Sequence, residues 1–496
     1  MIMEQKLFDT NVQWIKYQVL REVIRRAYEG GLENAYTIPR TLAPGPKADT
    51  RCCIHKERAV LMDRVHMAMG GNKENPNVIE VLYEACDECP AGGMIVTDVC
   101  RGCLMHSCKE VCPKGAITIV DHRCTIDKSK CIECGKCAQA CPYSAIIAQK
   151  RPCIKSCKVK AISINEEDKA EIDNSKCISC GACVVSCPFG AISDKSLVLD
   201  IIKILKESEN NTRYRVYAVI APAIVSQCRF GRATQVVTAI KKLGFHQVVE
   251  AAIGADITLY NEAREFKEKA AESESPVMTT SCCPAFVRFV ENNFPELKDA
   301  ISTSVSPMVM AARLIKHSDP TAKVVFIGPC AAKKLEASRR SIRSDIDFVL
   351  TFEEVMGMFE AKEIDFKELP DDDTMHGASG DGRGFAVSGG VANAVINCIK
   401  DMYPDKEINV VSAEGLAECR KMMAIAKAGK YNGYLLEGMA CPGGCIAGAG
   451  TVQPIAKSAA SIAGHVKVST NAHAYQSDYR ELLDIIAEND LKNSPE

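Results

Sequence analysis

At 496 residues the chain is long enough for about three domains. It is 47% apolar and 25% charged, as expected of a globular protein. Lys plus Arg (61) and Asp plus Glu (63) leave a net charge of −2, which gives no basis for a nucleic-acid partner. No apolar run reaches the length of a membrane span, and the richest, VYAVIAPAIV at 216–225, is interrupted by proline. The opening MIMEQKLFDTNVQW lacks the basic flank and apolar centre of a secretory signal, so a cytoplasmic location is expected.

Cysteine is the outlier, at 27 residues, an odd number. A long chain in a reducing compartment needs no disulfide scaffold, so metal ligation is the expected use. Nineteen of the cysteines precede residue 190 and eight follow it, which divides the chain into an iron-sulfur part and a larger C-terminal part. The expected organisation is a helical accessory segment with a CxxC over 1–95, a cysteine-clustered region over 96–195, a larger domain over 196–465 and a tail helix over 466–496.

In chain order, Val12, Ile15, Val19, Val23 and Ala27 trace one face of a helix destined for core packing. ACDECP then supplies Cys86 and Cys89. CRGCLMHSCKEVCPKGAI follows, with Cys100, Cys103, Cys108 and Cys112 at a loose spacing. Two runs then repeat at an offset of 46, IDKSKCIECGKCAQACPYSAI and IDNSKCISCGACVVSCPFGAI. Each holds C-x2-C-x2-C-x3-C-P, with Cys131, Cys134, Cys137 and Cys141 in the first and Cys177, Cys180, Cys183 and Cys187 in the second. This is the bacterial [4Fe-4S] run: three thiolates on a tight loop grip three corners of a cubane, and the fourth reaches a neighbouring cluster. A zinc site would need only C-x2-C pairs.

Between the two copies, RPCIKSCKVKAI holds Cys153 and Cys157, like a run that has lost its first pair. The sixteen thiols suffice for four clusters; the full runs support three and a fourth is an expectation. Two pairings are open. In one, Cys141 completes the Cys100 cluster, Cys112 the Cys131 cluster and Cys157 the Cys177 cluster, leaving Cys86, Cys89, Cys153 and Cys187. The other joins the two perfect runs crosswise. Cys52, Cys53, Cys124, Cys228, Cys398 and Cys419 fit no pattern and read as structural.

Beyond residue 196, amphipathic segments alternate with the apolar runs RVYAVIAP, AKVVFIGPC, GFAVSGG, EINVVSAEG and YLLEGMAC. That alternation predicts α/β units with parallel strands, whose ligand sites lie beyond the carboxyl ends of the strands. Cys330 and Cys441 follow such runs and Cys283 follows PVMTT. Cys441 and Cys445 would share one face if EGMACPGGCIAGAG turns helical.

TSCCPAF, GPCAAKKLE and EGMACPGGCIAGAG resemble, in order and spacing, the three signature loops of [FeFe]-hydrogenases, and the likeness spans about 196–455. It implies an iron-hydrogenase fold, an α/β catalytic domain with parallel sheets joined to α+β ferredoxin-like domains. It further implies the activity of a ferredoxin hydrogenase, interconverting protons and H2 with a ferredoxin or similar low-potential carrier as partner. By the same resemblance, Cys283, Cys330, Cys441 and Cys445 hold the [4Fe-4S] part of an H-cluster, with Cys445 bridging to a diiron unit carrying CO, cyanide and azadithiolate. Three to four accessory [4Fe-4S] clusters complete the cofactor set. Cys282 would carry protons, along a route through Glu262, Ser302 and Glu265, and Lys333 would hydrogen-bond a cyanide.

This chain departs from better-known members at Ala223 (serine there), Gly328 (methionine), Met308 (glutamine), Phe286 (tryptophan) and Ala449 (glycine), which suggests a divergent subgroup. An H2 sensor and an iron-sulfur assembly factor lacking the diiron unit are the alternatives. SGDGRG lacks the full nucleotide-binding fingerprint, and the nine histidines show no ligand spacing.

Overall fold

The computed structural model describes residues 5–90, 92–228, 231–272, 277–372, 377–405, 408–477 and 479. The cysteine runs fold first into two small units of the same design. Each unit has an outer and an inner antiparallel strand pair. In one, Gly93–Val96 pairs with Ile146–Gln149, and Ile117–Val120 with Arg123–Ile126. In the other, Ile79–Val81 pairs with Ile192–Asp194, and Ile162–Ile164 with Ala170–Ile172.

The first unit is inserted into the second. The chain leaves the second unit after Cys89, builds the whole of the first, and returns at Arg151. Arg151 Nε donates to the Pro90 carbonyl at 3.3 Å, closing the neck. Insertion works because the first unit begins and ends on adjacent strands, so its termini lie together.

The repeated sequence gives repeated geometry. Asp127 and Asp173 each accept from a serine hydroxyl two residues on, at 2.6 Å in both copies. Gly135 and Gly181 each open a cysteine-bearing helix at φ 78°. The recurring AI ending has a local cause: the alanine amide donates to the cysteine Sγ four residues earlier. These bonds are 3.4 Å to Cys112 and Cys141 and 3.2 Å to Cys157 and Cys187.

The C-terminal part has two parallel sheets. One has the order Gln247–Glu250, Val216–Ile220, Lys323–Gly328, Phe348–Thr351. The other runs Met278–Thr279, Tyr434–Met439, Asn409–Glu414. GFAVSGG, expected as a strand, is instead a turn leading into helix Gly390–Met402. Gly389 there takes φ 82°, and its amide is held by the Glu437 carboxylate, which no extended strand would permit. The glycines of SGDGRG serve packing: a Cβ at Gly382 would lie 2.4 Å from the Asp256 carboxylate.

Helix Asn11–Glu29 forms as its sequence predicts, with Thr10 in a capping box. Its deepest face is rotated from the expected one, however, with Tyr17, Leu20 and Ile24 buried alongside Val19 and Val23. The helix is clasped rather than laid on a surface: it packs on Ile54–Ala68 and on Phe352–Ala361, and shares the core of the four-stranded sheet. The expected tail helix over 466–496 lies, beyond residue 479, outside the described residues; residues 466 and 467 end helix Ile455–Lys467.

A buried charge network ties the parts together. Lys334, 3% exposed, donates to Asp194 (2.8 Å), Glu354 (2.9 Å) and the Lys195 carbonyl (2.7 Å). Lys16 joins from the N-terminal helix through Asp194 (2.7 Å) and Glu353 (2.5 Å). Despite its burial, the two ammonium groups hold Asp194 well below the usual carboxylate range. Removing one partner of such a network strands the others in low dielectric. Lys334→Met is therefore expected to lower unfolding stability by about 3–5 kcal/mol in urea titrations.

Candidate functional site: a five-thiol cleft fed by cysteine clusters

The cleft lies where the two parallel sheets present the carboxyl ends of their strands. Cys330 follows Lys323–Gly328, Cys283 follows Met278–Thr279, and Cys441 follows Tyr434–Met439. Cys283 and Cys330 are also the N-cap residues of helices Pro284–Asn293 and Ala331–Ala337, with Pro284 at the first helical position. A helix N-terminus favours negative charge, so both positions suit a thiolate. Cys441 and Cys445 do not share a helix. Gly443 and Gly444, at φ 85° and 87°, turn the chain between them before the 3-10 turn Cys445–Ala447. A side chain at Gly444 would meet the Ser388 amide at 2.6 Å.

Sequence distance vanishes here. The Cys441 thiol is surrounded by those of Cys330, Cys283 and Cys445, and burial together with these neighbours pushes it well above its ordinary range. The same causes push Cys330 up to about 11 and Cys445 to about 12. Four enclosed thiols cannot all ionise unless positive charge joins them. Among the described residues no three His, Cys, Asp or Glu side chains are grouped to hold a single metal ion. Four cysteine thiols suit a soft-metal centre such as an iron-sulfur cluster rather than a hard cation that prefers oxygen ligands.

Cys282 is the fifth thiol. Enclosure, and then Glu262, Cys283, Cys445 and Glu437, keep it protonated far above the usual thiol range. Glu262 is fully buried on helix Ala251–Glu272, with Oε1 accepting from the Ser281 amide at 3.4 Å and Oε2 without a partner. Burial, helped by the nearby Glu265 charge, raises it to about 8 against the pull of the Ser281 amide. The Ser302 hydroxyl donates to Glu265 at 2.8 Å, and Glu265, half-buried, pairs with Lys269 at 3.1 Å. Lys333 is buried, donates to the Cys282 carbonyl at 3.3 Å and pairs with Glu336 at 2.7 Å.

Glu437 was not singled out by sequence reasoning. It is fully buried beside Cys282 and Cys445, and accepts from Gly389, Ala392 and Ser412. Its signal was a lone acid in an apolar strand. The variant positions are packed: Ala223 and Met308 are buried, and the Phe286 ring covers Gly438, where a Cβ would lie 2.2 Å from it. Gly328 likewise makes room for the Phe326 ring.

The inserted units place their thiols in sets. Cys157, Cys177, Cys180 and Cys183 are mutual neighbours, and Cys180 also faces Cys283 and Cys441. Ala449 of the third loop touches this set, since a Cβ at Gly181 would lie 2.5 Å from its own. Cys86, Cys89, Cys153 and Cys187 form a second set. In the other unit Cys137 neighbours Cys131 and Cys112, with Cys134 on the same loop. Cys100 and Cys103 lie on the loop after Gly93–Val96 and Cys108 on the short helix Ser107–Glu110 that follows it, and the turn holding Cys141 is tied to that loop by the Thr97 amide donating to the Ala145 carbonyl at 2.8 Å. The two perfect runs fall in different units, so a crosswise pairing has no geometric basis. Cys124, taken as structural, is buried, with its sulfur 3.9 Å from that of Cys108.

Residues 214–449 match the family described as iron only hydrogenase large subunit, C-terminal domain, and 124–147 and 170–193 match the 4Fe-4S binding domain. The periplasmic [Fe] hydrogenase large subunit of Nitratidesulfovibrio vulgaris is 32% identical over 385 residues, 67% of this chain and 87% of that protein. This chain belongs to the iron hydrogenase family. Iron hydrogenase 1 of Clostridium pasteurianum is 30% identical over 69% of this chain and 67% of its own length. A solved [FeFe]-hydrogenase from Chlamydomonas reinhardtii shares the fold at a TM-score of 0.51 and 20% identity, over 60% of this chain and 98% of that one. The cytosolic Fe-S cluster assembly factor of Kluyveromyces lactis is 30% identical over 35% of this chain and 39% of its own. This iron hydrogenase family member carries [4Fe-4S] binding domains, and no described helix is long and apolar enough to cross a membrane.

The raised Glu262 carboxyl makes a pH prediction. The folded form holds this proton up to about 8 and the unfolded form releases it near 4.5, the ordinary range of a glutamate. Stability therefore falls as pH rises between those values, by at most about 1.4 kcal/mol per pH unit. Glu262→Gln is expected to flatten this slope, so that at pH 8–9 the variant gains on the wild type in urea midpoints.

Proposed function

We propose that the protein is an [FeFe]-hydrogenase that reversibly reduces protons to H2, with electrons relayed through accessory [4Fe-4S] clusters from a ferredoxin-like carrier. The observation that carries this reading is the fifth thiol: four cysteines from three loops converge, and a neutral Cys282 neighbours Cys283, Cys445 and the buried Glu262, whose Oε2 accepts no hydrogen bond. When bound, the H-cluster supplies the diiron centre at which protons and electrons combine, its cubane held by Cys283, Cys330, Cys441 and Cys445.

The chain's own residues handle the protons. Glu262 neighbours Cys282 and its raised affinity, to about 8, keeps a proton on it at neutral pH; it passes that proton to Cys282 Sγ once the thiol has given up its own, and is then reprotonated from the Ser302 side. Ser302 bridges toward Glu265, which reaches the half-buried rim of the helix. Lys333, fixed by Glu336, contributes a cation beside the thiols and favours an anionic cofactor.

Electrons enter from the opposite direction. The set that holds Cys180 is the one beside Cys283 and Cys441, so electrons reach the cleft through it. The outermost loop exposes Leu104 and Met105, at 98% and 75%, where a carrier can approach.

The likeness to the assembly factor from Kluyveromyces lactis favours a second reading, in which the diiron unit is absent. That reading gives no task to Cys282, Glu262, Ser302 and Glu265 as a connected series. Infrared spectra of protein matured with the diiron cofactor separate the two. CO and cyanide bands, with H2 evolution from a reduced viologen, are expected; a loaded sample without bands or gas would refute the hydrogenase. Cys282→Ala is expected to keep the bands and lose at least about 100-fold in turnover, the scale of a positioned acid-base group. Glu265→Gln is expected to slow turnover less, because other proton paths to a half-buried rim exist.

A further inference from the structure

Arg151 neighbours Cys89 and Arg64 neighbours Cys187 in the set formed by Cys86, Cys89, Cys153 and Cys187, and Arg51 lies beside Arg64. Arg151 and Arg51 reach carboxylates at their outer ends, Asp168 at 3.6 Å for the first and Asp87 at 3.4 Å for the second. Arg64 is different. It projects from helix Ile54–Ala68, is 6% exposed, and donates from Nη2 to the Phe189 carbonyl at 3.2 Å. Its Nε has no partner, and no carboxylate forms an ion pair with it among the described residues. The fold makes room for it: a Cβ at Gly190 would lie 2.7 Å from Arg64 Nη2.

A buried guanidinium without a counter-charge is costly, so the nearest anion matters. Foremost among the negative groups that act on Arg64 is the Cys187 thiol, with Asp63 and Glu353 behind it. A cubane held by four thiolates is negatively charged in both oxidation states and gains one further negative charge on reduction. A fixed cation beside it therefore favours the reduced form, and charge is one of the determinants of such potentials.

We propose that Arg64 is the counter-charge of the cluster held by Cys86, Cys89, Cys153 and Cys187, and that it raises that cluster's reduction potential. It is a positioning residue for the electron, since it touches a ligand's loop and not the reacting atoms. Its effect is to stabilise an electron at the junction between the inserted unit and the set that faces the cleft. The inference rests on the reading that these four thiols hold a [4Fe-4S] cluster.

The test is a potentiometric titration of the full chain, reconstituted with iron and sulfide and followed by electron paramagnetic resonance. Iron is counted in parallel. The relevant signal is the one altered in Cys153→Ser. Arg64→Gln is expected to move that signal's midpoint to more negative potential and leave the other clusters where they were, while Arg64→Lys restores it. Loss of four irons in Arg64→Gln but not in Arg64→Lys would equally support a charge requirement. An unchanged midpoint in Arg64→Gln overturns the proposal. So does an equal shift, or an equal loss of iron, in both variants, since packing rather than charge would then be the cause. If Cys153→Ser alters no signal and no iron count in the wild-type background, the four-thiol cluster itself is absent and the inference falls with it.

Discussion

The arrangement depends on one buried ionic junction. Asp194 ends the last strand of the second ferredoxin-like unit, Lys334 sits one turn beyond Cys330, Glu353 and Glu354 begin the helix after the last strand of the four-stranded sheet, and Lys16 comes from the N-terminal helix. Four segments that are far apart in sequence meet in a volume that excludes water. The ionic partners leave little freedom in how the unit sits, because each displaced charge would lose its counter-ion without regaining solvent. That rigidity sets the approach of Cys180 to Cys283 and Cys441. The close contact of Gly181 with Ala449 is the steric counterpart of the same constraint.

Two kinds of charge management coexist around this junction. In the cleft, burial keeps Cys282 and Glu262 neutral, which suits groups that must both take and give a proton. A few residues away, Lys334 and Asp194 are held in their charged forms by each other. The difference is partnership: Glu262 Oε2 faces no cation, whereas every oxygen-bearing neighbour of Lys334 is a hydrogen-bond acceptor fixed in place. The same low dielectric therefore immobilises one set of protons and leaves another exchangeable.

Much of the chemistry was legible in the sequence, because thiolate ligation imposes local rules. The x2-x2-x3 spacing, the proline after the last cysteine and the AI ending all reflect a single turn in which an amide donates back to sulfur, and a turn can be read from its residues. Glu262 and Glu265 share a helix face for the same local reason. What was not legible depends on folding at a distance. The set of Cys86, Cys89, Cys153 and Cys187 was the remainder of one of two open pairings, and spacing could not choose it because only the folded neck brings Cys89 and Cys153 together across the inserted unit. GFAVSGG has the composition of a strand, but a carboxylate 48 residues away holds it as a turn. The Lys333-Lys334 pair looks like surface, and both side chains are buried by partners from other segments.

The nested arrangement of the two small units has a consequence for how such a chain can change over time. Because the outer module hangs from a neck closed by Arg151 and the Pro90 carbonyl, its removal would leave the surrounding module with all of its own strands and sulfur donors. Length can thus be added to or trimmed from the wire at its far end, while the segment nearest the catalytic cleft keeps its geometry.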